Sequence, residues 1–291
     1  MKKILQIFII FLLLVSCSRE WNEDLLVAFV SNDGSHEHLY ICTENGENVK
    51  RLTDFSPGRF IDSISFSPDG DKIAMISYDF VDFYINIIDK EGKELYEKVL
   101  TVENISGITW LLDGKLLFFC SGAGTEFPET GGVIFDYTTD SIIPNSLGTL
   151  GYAPVNSRCY SAIGPDRCVI VDNSTNLRIV SISTGESFYS QPGFQNLPIT
   201  VSPDGDTVLF FITSDITSYK MGTHVSSPFV IPGYASFKSI SFSPDGSKVA
   251  FTDDNITSSF YIYNIKSMTV KTITPGVGSF YPLVSYQYKP I

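Results

Sequence analysis

One short segment recurs along this chain and constrains its fold more than any other feature. Ser63-Ile-Ser-Phe-Ser-Pro-Asp-Gly70, Ile199-Thr-Val-Ser-Pro-Asp-Gly205 and Ser239-Ile-Ser-Phe-Ser-Pro-Asp-Gly246 are near copies. Gly107-Ile-Thr-Trp-Leu-Leu-Asp-Gly114 and Tyr160-Ser-Ala-Ile-Gly-Pro-Asp166 are degenerate ones. In the three near copies, an alternating strand meets a turn where proline fixes φ, aspartate bonds the local backbone and glycine accepts a positive φ. Apolar strands leave the turns over 72–77, 115–120, 168–172, 207–213 and 248–252. Third strands follow at 83–89, 133–137, 177–183, 216–221 and 260–265, and more polar fourth strands as at 94–100 and 269–274. The unit is a four-stranded meander. It repeats every 38 to 53 residues, counted between Asp69, Asp113, Asp166, Asp204 and Asp245. Four-stranded units at this period mark propeller blades.

The chain ends supply a sixth unit. Segments 25–31, 38–43 and 48–53 read as second, third and fourth strands without a first. The C-terminal Ser285-Tyr-Gln-Tyr-Lys-Pro290 matches Ser63 to Pro68 and places Pro290 46 residues after Pro244. The expected fold is all-β, a six-bladed β-propeller of four-stranded antiparallel blades. Its ring is closed by the C-terminal strand joining the N-terminal blade, which leaves no long free edge. A β-sandwich is the competing fold, and five in-register anchors with a split sixth argue against it.

The Ser-Pro-Asp-Gly-x-Lys-(Ile/Val)-Ala segments at 67–74 and 243–250 resemble the WD40-like repeats of the TolB family propeller. The resemblance covers essentially residues 25–291. It implies the fold and leaves function open. The family's namesake carries a separate N-terminal domain that engages membrane and envelope partners. This sequence has no room for one, so that role is not carried over.

Residues 1–16 read as a secretory leader: Lys2-Lys3, then an apolar run from Ile4 to Val15 broken by Gln6, too short for a permanent membrane span. Leu14-Val15-Ser16-Cys17 resembles the lipobox of bacterial lipoproteins. It implies cleavage before Cys17 and acyl chains on that cysteine, palmitate among them. Residues 17–24 then form the lipidated cysteine and a short polar tether. Ser18 after the cysteine, and the tether's acidity, point to the outer membrane, periplasmic or surface-facing. The net charge of −12 becomes −14 once Lys2 and Lys3 leave, 18 basic residues remaining against 32 acidic. Such a surface repels phosphate backbones, which disfavours nucleic acid as a partner. The propeller is expected to be a monomer.

Four cysteines follow the anchor: Cys42, Cys120, Cys159 and Cys168. Across the turn at 164–167, Cys159 is expected opposite residue 172 or 173. That offset of about five residues, or roughly 16 Å of strand, puts Cys168 beyond disulfide reach. All four are read as small buried apolar residues.

The search for chemistry finds no Gly-x-Ser-x-Gly elbow, phosphate loop or dinucleotide fingerprint. His36 and His38, with Asp33 and Glu37 nearby, are expected to point to opposite faces of a strand, and His224 lies elsewhere. No metal or other cofactor is expected from this pattern. Asp253-Asp254-Asn255 reads as solvated loop rather than a calcium site.

Topology says where a ligand should bind. The Pro-Asp-Gly turns and the third-to-fourth-strand turns (44–47, 90–93, 183–186) are short and share one face. Longer loops at 31–37, 78–82, 121–130, 172–176 and 252–259, with the inter-blade connections, occupy the other. The connections carry Phe55, Phe60, Tyr152, Phe194, Tyr234, Phe237, Phe280 and Tyr281. Of the loop carboxylates, Asp79 and Asp253 join Phe60, Tyr152, Phe194, Tyr234, Phe237, Phe280 and Tyr281 as candidate ligand contacts. An aromatic and acidic rim suits a glycan or a protein partner. Equally, such aromatics can be wedges between blades. The favoured reading is a non-enzymatic envelope binding or scaffolding module. The alternative is a polysaccharide lyase with channel carboxylates as acid and base, for which Arg59 and Lys238 are the visible cations to neutralise a uronate.

Overall fold

The computed structural model describes residues 25–32, 36–121, 130–143, 147, 158–163, 166–171, 176–191, 199–212, 215–234, 237–253 and 259–286. Residues 1–24, read above as leader, lipidated Cys17 and tether, lie outside them. The described residues form six four-stranded antiparallel sheets. Blade 1 joins β1 (Leu26–Asn32), β2 (Glu37–Thr43) and β3 (Lys50–Arg51) to the last strand, β24 (Ser279–Tyr286). Blade 2 is β4 (Phe60–Phe66), β5 (Lys72–Tyr78), β6 (Phe83–Asp89) and β7 (Glu94–Leu100). Blade 3 is β8 (Asn104–Trp110), β9 (Leu116–Ser121), β10 (Thr130–Asp136) and β11 (Ser141–Ile143). Blade 4 is β12 (Arg158–Ile163), β13 (Arg167–Val171), β14 (Leu177–Ser181) and β15 (Ser187–Gln191). Blade 5 is β16 (Thr200–Val201), β17 (Thr207–Ile212), β18 (Asp215–Lys220) and β19 (Val225–Pro228). Blade 6 is β20 (Ser239–Phe242), β21 (Lys248–Thr252), β22 (Phe260–Asn264) and β23 (Thr269–Ile273). The first strands β24, β4, β8, β12, β16 and β20 each touch two others in turn and form the inner ring.

The second strands read as continuous apolar runs because both their faces are covered. Alternation sends Ile73 and Met75 of β5 toward blade 1, and Ala74 and Ile76 toward blade 3. The same partition holds round the ring, so six apolar clusters fill the six blade–blade interfaces. Each fully buried Val, Ile or Phe there contributes about 1.5–3 kcal/mol, which makes the interfaces the main source of stability.

The repeated turn is held by its own side chains. Ser67 Oγ donates to Asp69 at 2.5 Å and accepts the Lys72 N–H at 2.9 Å, while Asp69 accepts the Asp71 N–H at 3.1 Å. Ser202 with Asp204, and Ser243 with Asp245, repeat the arrangement. Gly70, Gly205 and Gly246 take φ of 72°, 72° and 69°, the left-handed conformation the turn requires. Blade 3 has Leu111 in place of the serine and keeps the turn through backbone bonds and through Asp113, which accepts the Lys115 N–H at 3.3 Å.

Two registers differ from expectation. In β24 the repeat is displaced by two residues: Val27 pairs with Tyr286, where Ile73 pairs with Phe66 in blade 2. The Tyr286 N–H bonds Ser241 Oγ just as the Phe242 N–H bonds Thr200 Oγ1. Tyr286 thus takes the buried aromatic place filled elsewhere by Phe66, Trp110 and Phe242. A bulge between Val284 and Tyr281 absorbs the shift. In blade 4, Ile163 pairs with Arg167 and a bulge follows Cys159, so Cys159 stands opposite Ile170. The offset from Cys168 is therefore two residues rather than five. Cys42 and Cys120 are free thiols, and they and Cys168 are buried.

Candidate site on the loop face

Strands alternate in direction, so the loops following β1, β5, β9, β13, β17 and β21 and the inter-blade connections share one face. Where blades 1 and 2 meet, that face carries an ordered cluster of side chains. Arg59 sits at its base, delivered by the connection from β3 to β4. Its Nε donates to Ser77 Oγ at 3.0 Å, and its terminal nitrogen donates to Asn86 Oδ1 at 3.0 Å and Glu97 Oε2 at 2.8 Å. The guanidinium lies 4.4 Å from the Phe55 ring centre and 3.8 Å from that of Tyr84. Ser77 and Asn86 bond each other, and Asn86 bonds Glu97. Three side-chain acceptors and two rings thus hold this cation, whose side chain keeps 16% of its surface exposed.

Next to it, Glu37 at the start of β2 is only 1% exposed. Its Oε2 accepts the Ile61 N–H at 2.7 Å, tying blade 1 to β4 beside the bulge between Ile61 and Ser63. Burial raises its pKa, the Ile61 N–H opposes that, and Asp62 adds to the rise.

Above this base stands the loop joining β5 to β6. Asp79 organises it: one carboxylate oxygen accepts the N–H groups of Val81 and Asp82, both at 2.8 Å, and the other accepts the Tyr84 hydroxyl at 2.8 Å. Those bonds from Asp82, Val81 and Tyr84 hold its carboxyl below the usual carboxylate range. The Asp79 N–H closes the loop on the Asp82 carbonyl. Phe80 and Val81 are thereby pushed outward at 86% and 84% exposure. Phe80 meets the edge of Phe60 at 6.0 Å and lies over Gly58, where an added Cβ would touch its ring at 3.4 Å. Phe60 in turn packs on Tyr78, and Tyr78 on Phe83. An ordered aromatic base carries an apolar tip into solvent.

The other sequence candidates fall into different places. Phe237, 3% exposed, is interior and packs against Phe251. Tyr234 is half-buried, edge-on to Phe251 and against Tyr261, and its hydroxyl pKa is raised by burial, then by Tyr261 and Asp253. Both act as wedges of blade 6. Asp253 accepts a long bond from Tyr261 at 3.5 Å. Phe280 and Tyr281 belong to β24, where they pair with Ser31 and Val30. Tyr152 and Phe194 lie outside the described residues, as do Asp33, Asp254 and Asn255. The His36 and His38 rings stack at 5.9 Å on one side, not opposite faces as expected, because residues two apart on a strand share a face. Among the described residues, no three His, Cys, Asp or Glu side chains gather as metal ligands. The Phe80–Val81 tip was missed as a site. Its signal was two adjacent apolar residues in an otherwise polar loop.

On the opposite face a cleft of about 620 Å³ lies between blades 5 and 6, lined by the Pro203–Asp204 and Pro244–Asp245 turns with Lys220, Phe229 and Phe242. Its two aspartates are engaged by their own turns.

Fold and loop geometry define a six-bladed β-propeller with an apolar tip on its loop face. The crystal structure of TolB from Acinetobacter baumannii matches with a TM-score of 0.70 over 91% of this chain and 67% of that one, at 17% identity. A chain of a nidogen/laminin complex matches with a TM-score of 0.65 over 92% of this chain and 100% of its own, at 11% identity. At these identities the likeness is one of fold. No protein-family model and no curated protein sequence matches the chain.

Proposed function

We propose that the chain is a lipid-anchored envelope module that binds a protein partner through the loop face of its propeller, with Phe80 and Val81 as the anchor. One observation carries the reading. Two large apolar side chains stand almost wholly in solvent on a loop already fixed by Asp79. An exposed apolar pair on an ordered support is the form of an interface hot spot, since little conformational freedom is lost on docking. The same fold in a protein–protein complex, nidogen with laminin, supports a protein partner. A polysaccharide-active enzyme draws less support, because Arg59 is enclosed by Ser77, Asn86, Glu97 and two rings.

Capture from envelope extract with the detergent-solubilised lipoprotein, in parallel with a glycan array, tests the proposal. Burying a Phe side chain is worth about 1.5–3 kcal/mol, so Phe80→Ala should weaken capture about 10- to 100-fold with the thermal midpoint unchanged. Partner capture that survives Phe80→Ala with Val81→Ser would sink it. So would a glycan ligand indifferent to both substitutions.

A further inference from the structure

The chain enters the propeller at a definite place. β1 is a second strand, so it starts on the Pro-Asp-Gly face and runs toward the loop face. Its start is fixed there by the Glu44 N–H, which donates to the Leu25 carbonyl at 3.1 Å from the turn between β2 and β3. From this geometry we infer that the anchored ring stands with its Pro-Asp-Gly face toward the membrane and its loop face, Phe80 and Val81 included, turned away. The inference rests on the lipid anchor at Cys17 proposed above.

Chain length decides it. Residues 17–24 are eight in number and reach at most about 29 Å when fully extended. To lay the loop face on the bilayer, they would have to pass outward beyond β2 and β3, about 10 Å at the spacing of paired strands. They would then climb a seven-residue strand of about 24 Å. That path of about 34 Å exceeds their reach before the projecting loops are included. Charge does not choose a face, since carboxylates outnumber bases on both. The tip therefore stands at least one strand length, about 24 Å, above the face that meets the membrane. Its partner is a protein that extends at least that far from the anchoring bilayer, not a lipid headgroup.

The test uses the full acylated protein in vesicles that carry an energy acceptor on a fraction of their headgroups. A donor dye is placed by Glu91→Cys, exposed in the turn between β6 and β7, or by Val81→Cys at the loop tip. The parent protein taken through the same labelling sets the background. Transfer from residue 91 should exceed that from residue 81 several-fold. A ten-residue flexible insert after Ser18 should abolish the difference. Equal transfer from the two sites without the insert, or stronger transfer from residue 81, overturns the orientation while the anchor stands. Mass spectrometry showing no acyl chain on Cys17 overturns the anchor, and the orientation with it.

Discussion

Replacing Arg59 separates a structural cation from a substrate-binding one. Its side chain is 16% exposed and makes three hydrogen bonds as well as two ring contacts. Bonds from a charged donor to Ser77 and Asn86 are worth about 1.5–3 kcal/mol each at most. The Glu97 ion pair counts for less, about 1 kcal/mol or below, because Glu97 is 34% exposed and screened. Stacking on Phe55 and Tyr84 adds about 0.5–1 kcal/mol apiece. Ser77, Asn86 and Glu97 keep bonds among themselves after the substitution, so these values do not add. A net loss of about 3 kcal/mol is expected for Arg59→Ala. For a domain of this size it lowers the melting midpoint by about 6–12 °C. Arg59→Lys, which keeps the charge but not the planar fork, should recover less than half of that. Thermal unfolding followed by circular dichroism or calorimetry measures both. A midpoint for Arg59→Ala within about 1 °C of the parent would refute the network. Arg59 would then be a free cation on the loop face, and the uronate reading would regain its missing charge.

Further expectations concern turns, thiols and closure. Burial raises the Asp69 and Asp245 pKa values but is outweighed by hydrogen bonds from Ser67 and Asp71, and from Ser243 and Ser247; the Ser202 bond leads in lowering Asp204. Their stabilisation is present above the unfolded value near pH 4 and lost as pH falls through the lowered folded values. Asp245→Asn should flatten the acid limb of a pH–stability curve, and an unaltered limb would discount the turn. Burial pushes the Cys42 thiol up to about 12 and that of Cys120 to about 11, so neither should react with a maleimide at pH 8 until the protein is unfolded. Peptide mapping of native and denatured samples reads this directly. At Gly278, φ is 21° and an added Cβ would fall 2.2 Å from the Asn32 carbonyl oxygen. Gly278→Ala should cost more than about 1 kcal/mol in chemical denaturation and speed proteolysis at the C-terminal strand.

The fold was legible because its signals are local and periodic. Ser-Pro-Asp-Gly specifies a turn from within, as the Ser67–Asp69–Lys72 bonds show, and strands β6 and β7 fall at the expected 83–89 and 94–100. Registers were less legible. A bulge such as that between Val284 and Tyr281 is chosen by which aromatic fills a buried place, and the repeat does not encode that choice. The site was the least legible of all. Phe60, Phe80 and Phe237 are alike as residue types. Asp79 turns Phe80 outward, while blade 6 encloses Phe237. Arg59 looked like a spare charge because its partners Ser77, Asn86 and Glu97 lie on three different strands.

Closure of blade 1 also sets a timetable. Val27 is among the first residues of the ring to be made, and its partner Tyr286 comes roughly 260 residues later. At about 5–20 residues per second, the ribosome takes about 13–52 s to supply it. For that interval β1 offers an unpaired edge, so the ring cannot finish until its last strand has been made. Until that strand arrives the chain stays unfinished, and the ring locks only when residues 279–286 pair with β1.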